Sequence, residues 1–108
     1  MQSEAEIVMA CRIEDPKASL AEDPCAIFHD VLAATYPRAR LAGPGDADGA
    51  PPDVVLVIEQ ARASALAARI DWGDTPGQSQ AMHRADQPLD QAAIAGFLER
   101  LLQANPRP

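Results

Sequence analysis

A chain of 108 residues carries one hydrophobic core and is too short for a second, so a single α+β domain over 1–108 is expected. Sixteen acidic against nine basic residues leave a net charge of −7, which repels phosphate backbones and anionic membrane surfaces and argues against nucleic acid as a partner. No apolar run approaches the roughly 20 residues of a membrane span, so membrane insertion is not expected.

The hydrophobic fraction is 47%, but the aromatic residues are only Phe28, Tyr36, Trp72 and Phe97, so the core must be built largely from Ile, Leu and Val. Eight arginines stand beside the single Lys17 and 22 alanines, a bias of GC-rich coding that robs arginine content of functional meaning. The opening MQSEAEIVMA has neither a basic n-region nor an apolar h-region. Either the protein is cytoplasmic, or Met1 replaces a removed leader and Gln2 begins the mature chain. The cysteines decide between these better than the terminus does.

In EIVMACRIE, Ile7, Met9, Cys11 and Ile13 alternate with Val8, Ala10, Arg12 and Glu14, the period-2 signature of a half-buried strand with Cys11 on its core side. EDPCAIFHDVLAATYP then reads as a helix, N-capped by Asp23, with Pro24 at its first position, and stopped at Tyr36 by Pro37. Its apolar stripe is Ile27, Phe28, Val31, Leu32 and Thr35, which Cys25 flanks from the first turn. A helix folding back on the strand before it brings its first turn near that strand's end. Cys11 and Cys25 are therefore expected to form a disulfide, closing a loop of about 15 residues and contributing about 3 kcal/mol. Such a bond points to an oxidising compartment, and hence to an exported, periplasmic-type protein.

Three other uses of the cysteines compete with the disulfide. Buried thiols often only pack. Cys25 at a helix N-terminus, with His29 one turn on, could be a reactive nucleophile. A metal site of Cys11, Cys25, His29 and His83 would lack the paired ligand knuckles of zinc modules, and no metal or other cofactor is expected.

RARLAG supplies a short strand or extended segment, and residues 43–53, rich in Gly and Pro, read as a surface loop. Asp46-x-Asp48-Gly resembles part of a calcium loop, but Ala50 and Val57 occupy places where acidic ligands belong. Val54 to Ile58 is a buried strand by composition. The following ARASALAARIDW suits a helix by propensity. As a strand, however, it aligns Leu66, Ala68, Ile70 and Trp72 on one side, which favours a long hairpin even without the Asn-Gly or Asp-Gly of tight turns. DWGDTPG is a turn, QSQAMHRAD a further strand, and the segment after Asp90 a helix with Ile94, Phe97, Leu98, Leu101 and Leu102 on one stripe, a Leu89/Ile94 staple and a stop at Asn105-Pro106.

The order β-α-(β)-β-β-β-α implies a two-layer α+β sandwich: a mainly antiparallel sheet of three to four strands with two helices on one face. The expected core is Ile7, Met9, Ile13, Phe28, Val31, Leu32, Leu56, Leu66, Ile70, Trp72, Phe97 and Leu101. The sheet's other face would carry Val8, Ala10, Arg12, Val55, Val57, Ala65, Ala67, Arg69 and Asp71, an apolar patch rimmed by charge. Arg12, Val55, Val57, Ala67 and Arg69 are the candidate binding residues, for a protein partner or a second copy of the chain. No Gly-x-Ser-x-Gly, His-Glu-x-x-His or phosphate-binding glycine loop occurs, so no catalytic residues are assigned and an enzyme is not expected. The competing expectation is a cytoplasmic thiol-dependent enzyme or redox protein with Cys25 as nucleophile.

Overall fold

The computed structural model describes residues 7–20, 22–41 and 52–106. The elements run β1 (Ile7–Ile13), α1 (Pro24–Thr35), β2 (Ala39–Leu41), β3 (Val54–Arg62), β4 (Ala65–Trp72), β5 (Gln80–His83) and α2 (Gln91–Ala104). The five strands form one sheet in the order β2-β1-β3-β4-β5. The residues of the calcium-loop fragment, Asp46 to Ala50, lie outside the described residues, as do Met1 and Gln2.

The α+β class and the element order agree with the sequence, but the sheet is mixed rather than mainly antiparallel. Strand β1 runs parallel to β2 on one side and to β3 on the other, while β3/β4 and β4/β5 are antiparallel. The physical reason is α1: a helix between neighbouring strands is a crossover, which brings the second strand back in the direction of the first. The short β2 therefore pairs with β1 and completes five strands.

Local chemistry sets the helix ends. The Asp23 carboxylate accepts the N–H groups of Cys25 and Ala26, and Tyr36 closes α1 by donating its N–H to Leu32. Asp90 accepts the Ala93 N–H at 2.8 Å to start α2, and Asn105 ends it. The β3–β4 hairpin turns through Ala63 and Ser64, and no described non-glycine residue has positive φ. The primed turns that match strand twist are thus unused. The tip is held from outside instead: Arg84 N–H donates to the Ser64 carbonyl at 2.9 Å and Leu89 N–H to that of Ala63 at 2.7 Å.

Both helices pack on each other, α1 against β2 and α2 against β4. Between them and the sheet lie Ile7, Met9, Val54, Leu56, Ile58, Leu66, Ala68 and Ile70 from the strands, and Phe28, Leu32, Ile94, Leu98 and Leu101 from the helices. Two expected core members are corrected. Ile13 is 47% exposed, because β1 ends there at the margin of the helix layer, and Val31 only packs against the core's edge. Trp72 ties the layers together: its indole N–H donates to the Asn105 carbonyl at 2.7 Å, and its ring meets Tyr36 edge-on with centroids 5.7 Å apart. One β4 side chain thereby touches the C-terminal ends of both helices.

Candidate functional site: the uncovered sheet face

Because both helices lie on one side, the second face of the sheet has no helix over it among the described residues. Register assembles this face in rows. Ala10, Val55 and Asp71 lie side by side across β1, β3 and β4, followed by Arg12, Val57 and Arg69. Further along, Ala67 stands opposite Gln60 on β3 and Ala81 on β5. On the other side of β1, Arg40 of β2 stands opposite Val8. All five sequence-derived binding candidates, Arg12, Val55, Val57, Ala67 and Arg69, thus share one face.

Their exposure differs from the expected flat apolar patch. Val57 is 0% exposed, so it is corrected from a contact residue to the floor of the face. Its register neighbours are Arg12 and Arg69, whose aliphatic stems cover apolar surface while their charged heads stay in water. Val55 and Ala67 are half-buried and remain reachable from solvent.

The arginines are held in place by their own chain. Arg69 donates to Glu59 at 2.9 Å and to Asp71 at 3.1 Å, with its side chain 25% exposed. Burial works against its charge, but Asp71 and Glu59 outweigh that penalty and hold its pKa above the ordinary arginine value. Glu59 also accepts the Ser79 hydroxyl at 2.9 Å. Arg12 pairs with Glu14 at 3.1 Å near the rim. Sequence reasoning missed the part played by Glu59. Strict alternation from Val55 and Val57 already puts Glu59 on this face, while the β3/β4 register shift between Ile58 and Gln60 brings Gln60 onto the same face and turns Ala61 into the core.

A second charged cluster, at the end of β1, is structural. Asp15, 8% exposed, accepts the Arg62 guanidinium at 2.8 Å, the Ala61 N–H at 3.1 Å and the Lys17 N–H at 2.9 Å. The hydrogen bond from Arg62, then those from Ala61 and Lys17, hold its carboxyl well below the usual carboxylate range. The cluster fastens the segment leaving β1 to the end of β3.

Cys11 and Cys25 stand at disulfide distance, with Cα atoms 5.8 Å apart, joining β1 to the first turn of α1. His29 is half-buried, with Nε2 3.3 Å from the Ala39 carbonyl oxygen, and so links α1 to β2. His83 is exposed on β5, and register places it opposite Ala65 on β4, so the structure brings no metal set together from the two cysteines and two histidines. Among the described residues no group of three or more His, Cys, Asp or Glu side chains is arranged to hold a metal ion, and no helix is long and apolar enough to cross a membrane. Comparison with protein-family models, with curated proteins and with solved structures finds no match for this chain.

Proposed function

We propose that this is a small exported protein, of periplasmic type, that works as a non-catalytic binding or assembly module through its uncovered sheet face. The observation that carries the reading is one-sidedness. A five-stranded sheet has both helices on one side, and the other side presents small apolar side chains between arginines already fixed by carboxylates. A sheet face with half-buried apolar side chains between polar groups suits a partner surface. Export is supported by the Cys11/Cys25 pair, which closes as a disulfide in an oxidising compartment. With Cys25 at bonding distance from Cys11, the thiol-enzyme alternative would need prior reduction before Cys25 could act as a nucleophile.

Photo-crosslinking in the native compartment tests the reading. A photoreactive side chain replaces Ala67 on the open face or, in parallel, Glu99 on the exposed side of α2. A discrete adduct from position 67 that is absent from position 99 is expected. No adduct from position 67, or the same adducts from both, would remove the open face as the binding surface.

A further inference from the structure

We infer that the occupant of the open face is a second copy of this chain, packed sheet to sheet about a two-fold axis into a four-layer assembly. The inference rests on the proposed function, whose partner it names. Charge is the first argument. The chain as a whole carries −7, yet among the described residues this face and its rim mix both signs: Arg12, Arg40, Arg62 and Arg69 stand with Glu14, Asp15, Glu59 and Asp71. Two copies brought together through any acid-rich part of the surface repel each other. Through this face they meet where, among the described residues, arginines stand beside the acids. A two-fold axis also sets the same patch against itself, so a face with both signs interspersed meets its match in its own copy.

Shape and size agree. The residues between the arginines are Ala10, Val55 and Ala67, with Val57 beneath them. Small side chains allow two sheets to approach to the usual spacing of about 10 Å. Five strands about 4.8 Å apart, rising about 3.3 Å per residue and shortened at both sheet edges, make a face of roughly 500 Å². Two such faces remove roughly 1,000 Å² from water, the lower limit for a specific interface. The association is therefore weak and concentration-dependent.

Sedimentation velocity on the oxidised protein from about 5 to about 500 μM, the range of weak association, reads the equilibrium directly. Three variants accompany it: Ala67→Glu and Arg12→Glu on the face, and Glu99→Lys on α2. The expected result is a reversible monomer–dimer equilibrium weakened at least about tenfold by each face variant, a loss of about 1.4 kcal/mol, and unweakened by Glu99→Lys. Arg12 is exposed, so its reversal leaves folding intact, as circular dichroism will check, even if Ala67→Glu does not. A wild-type monomer throughout the range, or a dimer indifferent to the face variants, overturns the inference. An adduct of position 67 with a different protein, beside a wild-type monomer, overturns the second copy while leaving the face as a binding surface. Loss of every adduct from position 67 removes both.

Discussion

Asp15 shows how one buried carboxylate fixes where a strand ends. Its oxygens take the Arg62 guanidinium and two backbone N–H groups, while Ser19 N–H donates to the Ala61 carbonyl at 2.7 Å. The chain leaving β1 is thus stitched to β3 instead of extending β1 further. The linkage has a definite sign. The folded pKa lies below the unfolded value of about 3.9, so the unfolded state binds the proton more readily. The contribution is fully present above the unfolded pKa and is lost as pH falls through the folded one. Asp15→Asn should therefore be less stable than the parent at pH 7, and the gap should shrink progressively below about pH 4. Urea unfolding at a series of pH values measures it. A gap of constant size from neutral to acid pH would show that the carboxylate's charge contributes nothing.

At the scale of elements, the Cys11/Cys25 pair joins the second half of β1 to the first turn of α1, across a separation of 14 residues. The cross-link shortens the unfolded chain's reach across a loop that otherwise has to be closed on folding. Replacing both cysteines by Ser should lower stability by about 3 kcal/mol and leave the far-UV spectrum nearly unchanged. Protein from its native compartment should resist alkylation until reductant is added. Rapid alkylation of both thiols without reductant would instead take away the argument for export. The staple was legible in the sequence because both cysteines sit on elements with strong local signals, an alternating strand and a Pro-initiated, Asp-capped helix. The hairpin was legible too, through the alternation from Leu66 to Trp72, against a helical propensity that tertiary burial overrode. Other features had no local signal. Strand β2 is only three residues long, too short to show a period, so the parallel pairing of β1 with β2 was hidden. The bulge that turns Ala61 into the core and Gln60 onto the open face depends on how β3 meets β4, which neither strand's own letters record. Val57 misled for a related reason: alternation assigned it correctly to the open face, but the arginines on either side of it leave it no exposed surface.

For the whole molecule the governing quantity is charge set against a small apolar face. Each copy carries −7, so two copies facing each other repel through solvent although the surfaces in contact mix both signs. With centres about 25 Å apart, the unscreened repulsion in water is roughly 8 kcal/mol. Screening leaves about 1 kcal/mol of it at 50 mM salt and almost none at 300 mM. The attractive part behaves differently. Burial of Ala and Val side chains is not screened, and the ion pairs of Arg69 and Arg12 are intramolecular and already made in the monomer. Raising salt from about 50 to about 300 mM should therefore tighten the proposed dimer about fivefold. Sedimentation equilibrium at several salt concentrations reads this without any mutation. Association that weakened with salt would mean that charges attract across the interface, and would exclude a face whose arginines are satisfied by their own carboxylates. Association that tightened would place the repulsion in the acidic remainder of the molecule, with the sheet face of mixed sign as the surface on which two copies meet.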